Sequence, residues 1–214
     1  MHEPLKIGVV YNGTEGSDAL YINSEFAIYT LIRVSYPVNV NLDDIDVLLV
    51  PNGCDHVFMY RIKDDVKRFL NQGKTLLCFD GWFTDWIPGN KWIMDNTKKS
   101  IDVKINVHED PYSIMKDVDI NHLNRSNGIS GWWACGYIEP AVDSITILKD
   151  TWNRPLLVLD ECSTKGVMIL SASAPISDNT YATTSDKDSA ASVAGLYRNI
   201  INYLYNKKHN YATS

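Results

Sequence analysis

The chain has 214 residues, 45% of them apolar and 21% charged, which excludes wholesale disorder and is enough to bury a core without disulfide or metal staples. Twenty Lys+Arg against 26 Asp+Glu leave a net charge of -6, an argument against a general nucleic-acid binder, whose affinity depends on a positive surface. Six Trp and 12 Tyr exceed what a core of this size needs.

The chain enters a strand pattern at once, from Lys6 to Tyr11, without the charged-then-apolar layout of a signal peptide. No apolar run approaches the roughly 18 residues of a membrane span. A cytoplasmic protein with no membrane partner is therefore expected. Cys54, Cys78, Cys135 and Cys162 are scattered and form no Cys-x-x-Cys pair, so the reading is free thiols and no metal site.

In chain order, the first apolar run ends in the loop Asn12-Gly13-Thr14-Glu15-Gly16-Ser17-Asp18, as a buried parallel strand would. Leu20, Phe26, Ile28, Leu31 and Ile32 recur at mostly helical spacing and predict a helix over 19–34. A short strand is expected over 36–40 and a buried one over 47–50, which ends at Pro51-Asn52-Gly53. Ile62, Val66, Phe69 and Leu70 share one face of an amphipathic helix over 62–71, and Gly73 stops it. Residues 75–79 make a fourth strand, ending at Asp80-Gly81.

The second half is less regular. Residues 101–108 alternate and predict a strand, and 144–149 with 155–159 predict a strand pair around the turn Asp150-Thr151-Trp152-Asn153. A further strand at 167–170 and a closing helix over 189–206 follow, with a polar loop at 177–188. The alternation of strand and helix predicts a flavodoxin-like α/β three-layer sandwich, residues 1–214 forming a single domain with an elaborated C-terminal half.

In such a sheet, ligands bind outside the carboxyl ends of the strands. The string Asp46-Val47-Leu48-Leu49-Val50-Pro51-Asn52-Gly53, then a helix, then Gly73-Lys74-Thr75-Leu76-Leu77, resembles the class I glutamine amidotransferase-like superfamily. Asn121-His122-Leu123, Asn127-Gly128-Ile129, Gly136-Tyr137, Arg154-Pro155 and Lys165-Gly166 resemble its ThuA-like branch. Active members of that superfamily carry a nucleophilic cysteine at the turn after the fourth strand and a late His-Pro-Glu. Here the ungapped alignment puts Asp80 at the nucleophile position and Cys78 two residues early, in the strand. The late motif reads Ser171-Ala172-Ser173-Ala174-Pro175-Ile176, with neither base nor orienting carboxylate, so glutaminase chemistry is not expected.

Three residues remain as catalytic candidates: Asp80 at the elbow, Cys78 if the register slips, and His56 as a substitute base. Asn52 and Gly53 occupy the position that the resemblance gives to the oxyanion loop. Glu15 and Asp18 would face the same crevice, with Gly81, Trp82 and Trp86 completing the ligand-binding set. Trp86, bracketed by polar residues, is the favoured contact. His108, Glu109 and Asp110 look like a metal cluster only on paper, since neighbours on a strand point to opposite faces.

The resulting expectation is a catalytically divergent module that binds a small polar ligand, a carbohydrate among the candidates, without a cofactor. The alternatives are a hydrolase or thiol enzyme using Asp80 or Cys78, and a structural or regulatory subunit, homo-oligomeric, assembling through an aromatic patch.

Overall fold

The computed structural model describes residues 2–13, 19–95, 97–124, 135–172, 176–178 and 187–210. In chain order the first half holds β1 (Leu5–Tyr11), β2 (Ala27–Arg33), β3 (Val47–Val50), α1 (His56–Arg61), α2 (Lys63–Asn71) and β4 (Thr75–Cys78). The second half holds β5 (Lys91–Met94), β6 (Asn106–Val107), α3 (Ile120–Leu123), β7 (Gly136–Glu139), β8 (Ile145–Lys149), β9 (Pro155–Asp160), β10 (Val167–Ser171) and α4 (Lys187–Asn210).

Eight strands form one sheet in the order β2-β1-β3-β4-β10-β9-β8-β6, and β5 pairs with β7 in a separate antiparallel ribbon. The strands from β2 to β10 in that order run parallel, while β9, β8 and β6 extend the sheet antiparallel. This is a flavodoxin-like α/β sandwich with a large, mostly parallel sheet. The central strands β3, β4 and β10 are buried at every position, as strands covered on both faces must be. Phe79, just past β4, meets Tyr197 of α4 edge-on, while α2 packs against β4. Alternation along the strand then turns Cys78 away from α4.

Two sequence expectations fail in the first crossover. Residues 27–33, expected inside a helix, form β2, paired with β1 from Leu5↔Ala27 through Tyr11↔Arg33. The run Ala-Ile-Tyr-Thr-Leu-Ile-Arg is rich in β-branched and aromatic residues, and the seven-residue parallel ladder outweighs its helical spacing. Residues 36–40 form no strand; Pro37 lacks the N–H that a ladder needs. The strand expected over 101–108 shrinks to β6, after a turn of 3₁₀-helix at Ser100–Asp102.

The amphipathic helix, the β8–β9 pair and the closing helix stand as expected, while most of the polar loop expected over 177–188 lies outside the described residues. α2 carries Val66, Phe69 and Leu70 inward, and Gly73 follows it at φ +83°. β8 and β9 pair across the expected turn, where Asp150 accepts from Trp152 N and Arg154 N at 2.8 and 2.9 Å. Arg154 also ion-pairs with Asp95 beyond β5 and lies over the rings of Trp152 and Tyr137, pinning the β5–β7 ribbon to the sheet. α4 buries Val193, Leu196, Tyr197, Ile200, Ile201 and Leu204. Among the described residues no helix is long and apolar enough to cross a membrane.

Candidate functional site

The carboxyl ends of β1, β3 and β4 meet at one crevice. β3 runs out at Pro51, and the chain turns through Asn52 and Gly53 before Asp55 caps α1 by accepting from Phe58 N at 2.9 Å. Gly53 holds φ +82°, a conformation that an L side chain rarely adopts. The Asn12 side chain, just past β1, donates to the Gly53 carbonyl and ties the first strand end to the third.

Asp80 organises this turn from the end of β4. Its carboxylate, 8% exposed, accepts from Gly53 N and Cys54 N, both at 3.0 Å, and from Asn52 Nδ2 at 3.2 Å. Among the described residues it has no cationic partner. A buried anion held only by neutral dipoles is uncommon, since desolvating it is costly.

The thiol of the crevice belongs to Cys54, which sequence reasoning passed over. Its Sγ lies 3.8 Å from His56 Nδ1, and ligand atoms of Cys54, His56 and Asp80 all fall within 4.8 Å of one another. Burial, with Cys78 and Asp80 nearby, pushes the Cys54 thiol far above the ordinary cysteine range. It therefore stays protonated and is a poor nucleophile. Cys78 is not in the crevice at all. It is fully buried, its thiol donates to the Asp80 carbonyl at 3.6 Å, and burial raises its pKa too. Cys78 is a core residue, which corrects its candidacy as nucleophile.

The aromatic expectation is also corrected in detail. Trp82 and Trp86 are 4% and 3% exposed, so the loop after the elbow folds both indoles into the core. Phe83 between them is 60% exposed and stands edge-on to His56 and to Trp92, with centroids 4.6 and 4.8 Å away. Gly81 acts through packing. A Cβ there would sit 2.6 Å from Trp92 Cε2, and one at Gly136 would sit 2.9 Å from the same atom. The two glycines make the slot that seats the Trp92 indole, whose Nε1 is buried without a partner among the described residues.

Several sequence candidates fall elsewhere. Glu15, Asp18, the Asn127-Gly128-Ile129 string and the Ser173-Ala174-Pro175 segment lie outside the described residues. His108 pairs with Glu109 at 3.4 Å on the surface, whereas Asp110 accepts from Ile114 N and Met115 N, so the three do not converge. A groove of about 630 Å³ opens at the opposite end of the sheet, beside Lys74, Lys165, Lys207 and Lys208. Its Lys207 pairs with Glu161 and its Lys208 with Asp46, so much of its charge is neutralised internally.

With this geometry in view, the comparisons bear on the fold alone. The chain shares its fold with a cytoplasmic protein from Salmonella typhimurium. That match has a TM-score of 0.59 at 12% identity and covers 93% of this chain and 98% of the other. A looser likeness is to a glutamine amidotransferase from Thermotoga maritima, with a TM-score of 0.49 at 6% identity over 80% of this chain and 76% of that one. No protein-family model matches the sequence, and no curated protein matches it.

Proposed function

We propose that the chain is a catalytically divergent, ThuA-like member of the amidotransferase-like fold that binds a small polar ligand, a carbohydrate by preference, at the crevice around Asp80. One observation carries this reading. The amides of Gly53 and Cys54, at the turn that the resemblance assigns to an oxyanion, are already occupied by the protein's own Asp80 carboxylate. A donor pair filled in this way is not free for a developing negative charge, which is what acyl transfer requires. The same carboxylate, beside Asn52 and the exposed Phe83 ring, supplies the acceptor, the amide and the flat apolar face that suit a polyol.

The thiol-enzyme alternative has the Cys54–His56 approach of 3.8 Å in its favour, but the raised thiol pKa opposes it. The assembly alternative loses its anchors, since Trp82 and Trp86 are core residues. The test is a tryptophan-fluorescence screen of monosaccharides and polyols on chelator-treated protein and on the same protein with zinc added back. A saturable response lost in Phe83→Ala and in Asp80→Asn is the expected result. A response unchanged in both variants, or none to any sugar, overturns the reading. Glutamate release from glutamine would overturn the divergent assignment.

A further inference from the structure

We propose that Cys54, His56 and Asp80 form a site for a single borderline-soft divalent cation, zinc by preference, with a fourth coordination position open to the crevice. The inference adds a metal to a chain whose sequence suggested none. It rests on the reading of the crevice as ligand site only for what fills the fourth position.

A thiol, an imidazole and a carboxylate converge within 4.8 Å, and this mixed S, N, O set suits zinc. Calcium and magnesium prefer oxygen cages and would be poorly served by two such donors. A tetrahedral zinc with bonds of about 2.3 Å to sulfur and about 2.0 Å to nitrogen or oxygen holds its ligand atoms roughly 3.3–3.6 Å apart. Cys54 Sγ and His56 Nδ1 are already 3.8 Å apart. Rotation of side chains closes the rest, because Cys54 and His56 stand two residues apart at one turn.

Metal-ligating groups are normally fixed by outer hydrogen bonds. Here Gly53 N and Cys54 N both donate to Oδ2 of Asp80, and Asn52 Nδ2 donates to Oδ1, so the carboxylate is oriented before any ion arrives. The ring of Phe83 stands edge-on to His56, with centroids 4.6 Å apart, and packs against the imidazole. Asp80 is buried without a cationic partner among the described residues, and a divalent ion supplies one. On coordination the Cys54 thiol releases its proton to solvent. With three protein ligands, a ligand hydroxyl completes the shell.

The experiment uses the full chain, stripped with chelator and titrated with Co²⁺ alone. The expected result is a thiolate-to-cobalt charge-transfer band and the visible absorption of a four-coordinate ion, saturating at one equivalent and displaced by zinc. Cys54→Ser removes the charge-transfer band, whereas the double variant Cys135→Ser/Cys162→Ser keeps it. His56→Ala weakens zinc by at least about tenfold, the scale of losing even an outer-shell partner. A second readout needs no variant: zinc should slow alkylation of Cys54 in the native chain, as read by peptide mass spectrometry. Absence of the band, its survival in Cys54→Ser, or unchanged Cys54 alkylation overturns the site. Metal uptake with no sugar response sinks the ligand reading alone. A sugar response in chelator with no metal uptake sinks the metal site alone.

Discussion

Replacing Asp80 with alanine tests whether the crevice is held together by one carboxylate. The change deletes three acceptor contacts, to Gly53 N and Cys54 N at 3.0 Å and to Asn52 Nδ2 at 3.2 Å. Net hydrogen bonds to a charged group are worth about 1.5–3 kcal/mol each, but Asn52 and Gly53 are exposed, and water replaces part of what is lost. Removing a buried anion also recovers some desolvation cost. The balance is a loss of about 2–4 kcal/mol, or roughly 5–15 °C in Tm for a chain of this size. Asp80→Asn should cost less, about 1–2 kcal/mol, because its carbonyl oxygen still accepts from both backbone amides while Asn52 turns its amide over. Urea unfolding followed by tryptophan fluorescence gives both values. Acetate or formate should raise the Tm of Asp80→Ala and leave the native chain unchanged, since a free carboxylate can refill the two amides. An alanine variant within about 0.5 kcal/mol of native, or an asparagine variant less stable than alanine, would refute the reasoning.

The remaining predictions separate contact residues from core residues. Phe83→Ala removes an exposed ring and should stay within about 0.5 kcal/mol of native, whereas Trp86→Ala opens the core and should cost about 3–5 kcal/mol in the same urea experiment. Iodoacetamide on the metal-free chain should label the exposed Cys135 and Cys162 first, Cys54 slowly, and Cys78 only after denaturation, as peptide mapping will read. Asp160 is the pH probe: burial pushes its carboxyl up, but hydrogen bonds from Ser163, Cys162 and Asn90 outweigh that and hold it below the usual range. Its stabilisation is therefore complete above the unfolded carboxyl pKa of about 3.9 and is lost as pH falls through the lower folded value. Asp160→Asn should flatten the acid limb of a Tm-against-pH curve; an unchanged limb would refute this.

How much of this was legible in the sequence depends on whether the deciding contact was local. β1, β3, β4, α2 and α4 announce themselves because unbroken apolar runs and a one-sided stripe each demand a single environment. Residues 27–33 do not, since Ile28, Leu31 and Ile32 fit a helical face as well as a strand. The deciding term is a ladder to β1, more than twenty residues away. The loop after Asp80 failed for a related reason. Local polarity around Trp86 suggested exposure, yet Trp82 and Trp86 are buried and Phe83 is exposed, and next to them the Trp92 indole fills a slot between Gly81 and Gly136. Gly136 comes more than fifty residues after Gly81, so no window of sequence contains the contact.

The crevice was legible in outline because strand ends are recognisable one at a time. Asn52, Gly53, His56 and Asp80 were all singled out from the carboxyl ends of β3 and β4. Their chemistry was not legible, because each was weighed alone. Cys78 sits in the strand that the resemblance gives to the nucleophile, and no ligand spacing along the chain marks a metal site. Folding instead places the Cys54-Asp55-His56 turn against a carboxylate from the next strand over. The same carboxylate fills the amides that would serve acyl transfer and stands beside a thiol too strongly protonated to attack. Those features, unfavourable together for a cysteine nucleophile, are the ones that a cation requires: an oriented anion, a soft donor, an imidazole and, among the described residues, no competing positive charge. Asp80, at the position that the resemblance gives to the nucleophile, is the centre of both features: it fills the turn's amides and supplies the carboxylate of the proposed ligand set.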